Sequence, residues 1–181
     1  MLALRPNCEC CDRDLPPDSA SVPAGKPDIR IVQLNGVALH ALALGDLSTA
    51  EAASPVALSV YLAGPQCRGL WRMRSEQCDR DLSSAAWVTG IVWDETRSFA
   101  VGAAGFHGPP DSSGVVEIGY RIDPVHRRRG YARAALEALL ARAAREPDVH
   151  RVRASRSRRS SRSDWGMAIV KGVMATTLES I

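Results

Sequence analysis

A mixed α/β (α+β) domain, with a largely antiparallel central sheet flanked by helices, is the fold class this sequence predicts, on three observations. Strand-sized apolar runs at residues 86–93, 99–106 and 115–122 follow one another with short polar or glycine-proline links, which makes an antiparallel meander. A strongly periodic helix follows from Ala132, with Ala132, Ala135, Leu136, Leu139, Leu140 and Ala143 on one stripe. A further strand from His150 is reached through that helix, so it lies parallel to the strand before the crossover.

Taken in order, residues 1–27 hold Cys8, Cys10 and Cys11 and then prolines and serines, with hardly any apolar period, and read as a disordered leader. Ile29 and Ile31 alternate with Arg30 and suggest a first strand. Asn35-Gly36 fits a tight hairpin turn, yet residues 37–44 are rich in alanine and leucine and equally suit a helix. Asp46 to Ala53 looks helical until Pro55 redirects the chain, and residues 68–82 fit an amphipathic helix. Trp71 on that helix belongs either to the core or to a pocket wall. Residues 94–98 form a polar turn, and Gly108 to Gly114, with two prolines, a loop.

Between the third strand and the periodic helix lies Asp123-Pro-Val-His-Arg-Arg-Arg-Gly-Tyr-Ala132. The first N–H groups of a helix have no intrahelical partner and sit at the positive end of its dipole, so an anion is stabilised there. Gly130 lets a phosphate approach the backbone and accepts dihedrals other residues resist. Arg127, Arg128 and Arg129 add planar donors that suit phosphate geometry. With its apolar stripe docked on a sheet, such a helix holds the anion site rigidly.

The spacing Arg127-x-x-Gly130-x-Ala132, the lead-in Glu-Ile-Gly-Tyr-Arg-Ile-Asp-Pro from Glu117 and the trailing Ala-Leu-Glu-Ala-Leu-Leu from Ala135 resemble the pyrophosphate-binding signature of the GNAT acetyltransferase superfamily. They look most like its branch that acetylates protein N-termini, particularly of ribosomal proteins, and related small amines. The resemblance implies a GNAT-like fold over residues 28–155, acetyl-CoA as co-substrate and a primary-amine acceptor, either a small molecule or a protein N-terminus. It also implies that residues 127–132, including Tyr131, hold the pyrophosphate, and that the pantetheine arm bonds to the strand ending at Ile122.

Attack by an amine needs a neutral nucleophile, so a carboxylate placed to take a proton is useful. Glu117 is the candidate general base. The other reading of a glutamate on a strand face is a solvated side chain. His107 can do similar work, or can be a surface residue beside the Gly-Pro-Pro loop. Backbone N–H groups would polarise the thioester carbonyl.

Downstream the resemblance fails. Residues 156–163 are serine and arginine, and the asparagine turn, Gly-Phe pair and final hairpin expected of the family have no counterpart. The C-terminal strands are therefore expected to be missing, with residues 167–174 as a short helix on the open edge. Left uncovered, that edge invites association, so a homodimer is allowed for, and a truncated, inactive protein that at most binds CoA is the alternative reading.

At 181 residues and 45% hydrophobic content the chain suits one domain with extra ends. A net charge of +3 argues against nucleic acid. The six arginines from Arg151 to Arg162 have no interleaved aromatic for base stacking and read as a solvated linker. No apolar run spans a bilayer and no secretory pattern opens the chain, so no membrane association and a cytoplasmic location are expected. Five cysteines, unevenly placed, suit thiols better than a disulfide framework. Residues 1–19 resemble the start of a small bacterial cysteine-rich family with zinc-ribbon-like sites, but the later cysteine pairs are absent and no metal site is expected.

Overall fold

The computed structural model describes residues 25–154 and 167–169 of the 181. The readings of the cysteines at 8, 10 and 11 and of the serine-arginine segment lie outside the described residues.

Six strands, β1 (Ile29–Val32), β2 (Gly90–Asp94), β3 (Phe99–Phe106), β4 (Val115–Ile122), β5 (Arg151–Ala154) and β6 (Met167–Ile169), pair in sequence order. Every pairing is antiparallel except β4 with β5. That exception follows from the crossover helix α5 (Tyr131–Ala143), which turns the chain back to the edge it left. Residues 167–169, expected in a short helix, instead form a strand against β5. The sheet therefore continues past β5, and the expected loss of all C-terminal strands is corrected by that one short strand.

Helices cover both faces. One face carries α1 (Gly36–Leu44), α2 (Leu47–Ala52), the single turn α3 (Val60–Ala63) and α4 (Pro65–Arg80). The core there joins Leu39, Leu42, Leu62, Trp71 and Ile91. The other face carries α5, where Tyr131, Ala135 and Leu139 pack on Val101, Phe106, Ile118 and Val152. Both cores are drawn from the alternation of the strands, with a bulge between Val92 and Trp93 that resets it in mid-sheet.

Two local readings resolve on identifiable hydrogen bonds. Asn35 opens a helix rather than a hairpin, because its side chain accepts from the Ala38 N–H at 2.9 Å and donates to the Ala53 carbonyl at 2.9 Å. Gly45, at φ +82°, then closes α1 in the left-handed conformation. Residues 86–89, expected to open β2, do not belong to it. The Asp81 carboxylate accepts from the N–H and hydroxyl of Ser83 and the hydroxyl of Ser84, winding Leu82–Ala86 into a 3-10 turn, so the strand begins at Gly90. Trp71 is core: it is fully buried, and its indole N–H donates to the Leu62 carbonyl at 2.7 Å.

Candidate functional site

After Ile122 the chain makes a 3-10 turn, Pro124–His126, fixed by the Asp123 carboxylate accepting from the Val125 N–H at 3.1 Å. Arg128 (φ +62°) and Gly130 (φ +82°) are both left-handed, which reverses the chain into α5. Glycine meets that demand at 130 without strain. A Cβ there would also stand 3.2 Å from the Pro27 ring. Helical bonding in α5 starts with the Ala134 N–H on the Gly130 carbonyl, at 3.0 Å, and no side chain caps the helix. The N–H groups of Tyr131, Ala132 and Arg133 are thus left for an outside acceptor. Arg127 Nε donates to the Ile122 carbonyl at 3.3 Å, which holds its guanidinium against the end of β4.

The turn is anchored from below by residues the sequence did not single out. Asp94, at the end of β2, is fully buried and accepts from the Tyr131 hydroxyl at 2.6 Å, the Arg97 N–H at 2.7 Å and the Arg97 guanidinium at 3.2 Å. Burial pushes this carboxyl up, but the Tyr131 and Arg97 donors outweigh it and hold it below the usual carboxylate range. Tyr131, buried itself and facing a carboxylate, is pushed up. His126 stacks on Phe99, with ring centres 4.8 Å apart.

β4 has two unlike halves. Its pairing with β5 runs from Val115 opposite Arg151 to Ile118 opposite Ala154. Among the described residues no strand lies beside residues 119–122 on that side. The Glu117 carbonyl and the Asp123 N–H are both committed towards β3, accepting from His107 at 2.7 Å and donating to Val101 at 2.9 Å. Strand alternation then turns the backbone groups of Tyr120 and the Ile122 N–H to the open side.

Glu117 lies at the join of the two halves, half-buried, in a cleft of about 250 Å³ that it shares with His107, Asp111 and Arg153. His107 Nδ1 is 3.5 Å from Glu117 Oε1. Behind them Arg74 of α4 is buried; it donates to Thr89 Oγ1, Gln77 Oε1 and the His107 carbonyl at 3.2, 2.8 and 3.2 Å. Its guanidinium meets no carboxylate at ion-pair distance among the described residues. No local pattern signals this burial, since an arginine on an amphipathic helix ordinarily faces water. Cys67 and Cys78 are free, buried thiols, both pushed up by burial. No group of three metal-ligating side chains occurs among the described residues, and no helix there is long and apolar enough to cross a membrane.

The sequence profile of the acetyltransferase (GNAT) domain matches residues 47–163, and the chain belongs to that family. It is 41% identical over 54 residues to the uncharacterized N-acetyltransferase YjdG of Bacillus subtilis (strain 168), covering 30% of this chain and 32% of that one. It is 95% identical over 19 residues to an uncharacterized protein of Rhizobium meliloti (strain 1021), covering 10% of this chain and 23% of that one. The chain therefore spans a third or less of these curated relatives. Among solved structures it is similar to a GNAT-family acetyltransferase from Bacillus anthracis, with 19% identity, a TM-score of 0.42 and coverage of 71% and 70% of the two chains. It is likewise similar to an acetyl transferase from Salmonella typhimurium that modifies the N-terminal serine of ribosomal protein L7/L12 (15%, 0.43, 72% and 71%). A spermidine/spermine N-acetyltransferase from Vibrio cholerae stands at 15%, 0.45, 70% and 69%.

Proposed function

We propose that this chain transfers the acetyl group of acetyl-CoA to a primary amine, either a protein N-terminus or a small-molecule amine, within the bacterial cytoplasm. The observation that carries the reading is the start of α5, where three N–H groups without a helical partner stand behind a left-handed glycine and three consecutive arginines. An anion with several oxygens fits that arrangement, because each N–H supplies a donor and the guanidiniums supply charge. Arg127, Arg128, Arg129, Gly130, Tyr131 and Ala132 are the residues assigned to the pyrophosphate. Tyr131 serves through its N–H, since its hydroxyl is engaged with Asp94.

The side of β4 that no strand flanks at residues 119–122, among the described residues, suits an extended arm with alternating amide donors and acceptors, which would run past Ile122 and Tyr120 as an added strand does. That path brings a thioester to Glu117, whose carboxylate assists removal of a proton from the incoming amine. The acceptor then attacks the carbonyl directly, with both substrates bound. The ribosomal-protein branch is our preferred acceptor class on the motif around residues 117–140. The atypical sequence after residue 155 belongs to the same reading, as a variant end on a working domain.

Release of free thiol from acetyl-CoA with a panel of amines and N-terminal peptides tests this. Turnover with at least one amine is expected. Binding of acetyl-CoA without turnover on any would make the chain an inactive member that at most binds CoA.

A further inference from the structure

Resting on that acetyl-transfer reading, we propose that His107 Nε2 is the atom that accepts the proton from the acceptor ammonium, with Glu117 acting through His107 as a positioning residue. The geometry begins at Gly119, the first residue of β4 without a β5 partner. A Cβ on Gly119 would stand 2.9 Å from His107 Nε2, so the imidazole occupies the space a side chain there would take. One ring nitrogen faces the Glu117 carboxylate at 3.5 Å, and the other lies over the strand at the point where the thioester path opens. A carboxylate beside Nδ1 favours the proton on that nitrogen and leaves the lone pair on Nε2.

The loop carrying His107 is held from behind. Its carbonyl accepts from Gln77 Nε2 at 2.7 Å and Arg74 Nη1 at 3.2 Å, and its N–H donates to the Glu117 carbonyl at 2.7 Å. Arg74 from α4 and Glu117 from β4 act on the ring, while Arg153 from β5 and Asp111 from the loop line the same cleft, the Asp111 carboxylate being taken up by the N–H groups of Ser113 and Val115. Burial, followed by the Arg74 charge, pushes the imidazole down, against a smaller upward pull from Glu117. His107 is therefore neutral at neutral pH, and its Nε2 lone pair is free to take a proton.

The acceptor ammonium gives one proton to Nε2, and His107 later returns it to solvent. The freed nitrogen lone pair forms the C–N bond as the C–S bond breaks with its electron pair on sulfur. A second proton shed by the nitrogen goes to that sulfur, leaving one N–H on the amide.

The test is the pH profile of kcat/KM for the wild-type chain, His107→Gln and Gly119→Ala, beside an NMR titration of the His107 ring in wild type and Glu117→Gln. The rate of the wild type should rise with pH through an inflection matching the titrating ring, below the usual histidine value. His107→Gln should lose that inflection and about a hundredfold or more in rate while keeping its affinity for acetyl-CoA. Gly119→Ala, which displaces the ring and leaves Glu117 intact, should slow the reaction in the same sense. Glu117→Gln should move the ring's titration to lower pH. If His107→Gln keeps the wild-type rate and inflection, the assignment of His107 is overturned while acetyl transfer stands. If the wild type acetylates no amine, both readings fall together.

Discussion

The Tyr131 hydroxyl donates to Asp94 Oδ2 at 2.6 Å, tying the first residue of α5 to the last residue of β2 across 37 positions of sequence. Each side chain is engaged by the other, and together they set where the N–H groups of α5 stand relative to the sheet. Arg97 completes the anchor by giving Asp94 two further donors.

Removing one donor from a buried carboxylate leaves it short of a charged hydrogen bond. Tyr131→Phe should therefore cost about 1.5–3 kcal/mol of stability, read as a fall in the urea midpoint with an unchanged slope. A midpoint equal to wild type would show that Arg97 alone satisfies Asp94.

Asp94 also predicts an acid dependence. Its folded-state carboxyl lies below its unfolded value, because the Tyr131 and Arg97 donors outweigh burial. The stability it contributes is then fully present above the unfolded value of about 3.9 and is lost as pH falls through the folded one. The stability difference between wild type and Asp94→Asn should stay constant from pH 7 to 5 and shrink below about pH 4. A difference that grew on acidification would contradict the sign of the shift.

Gly130 separates strain from binding. At φ +82° any Cβ costs about 1–2 kcal/mol, so Gly130→Ala and Gly130→Glu should both melt lower than wild type by similar amounts. Only the glutamate should also abolish stabilisation by acetyl-CoA, because it places a carboxylate where the anion belongs. Equal responses of the two variants to acetyl-CoA would detach Gly130 from the anion site.

Trp71 tests the opposite face. Fully buried, with its indole N–H on the Leu62 carbonyl, it should cost about 3–5 kcal/mol on truncation to alanine. Differential calorimetry would register the loss.

How much of this was legible in the sequence depended on the range of the forces involved. Val115–Ile122 and Phe99–Phe106 have the bounds the apolar runs suggested, because clear loops bracket them. The α5 turn was readable because glycine, arginine and helix period act within a few residues of one another. Residues 35–44 were not decidable locally, since Asn-Gly serves both a hairpin and a helix cap; burial of Leu39 and Leu42 in the core selects the helix. Residues 86–89 resemble a strand in sequence, but the turn capped by the Asp81 carboxylate just upstream displaces them. In local sequence Asp94 is only the start of a polar turn, and Arg74 only a charge on an amphipathic helix. Their partners, Tyr131 and the His107 carbonyl, are 37 and 33 residues away, beyond any local pattern.

The measurement that bears most directly on acetyl-CoA binding at the start of α5 is a thermal-melt titration of the full chain with acetyl-CoA. A ligand held only by the folded state stabilises it by about 2.7 kcal/mol at a hundredfold excess over its dissociation constant. A dose-dependent rise in melting temperature that is absent in Gly130→Glu is the result expected. A cooperative melt of the wild type indifferent to acetyl-CoA would contradict it.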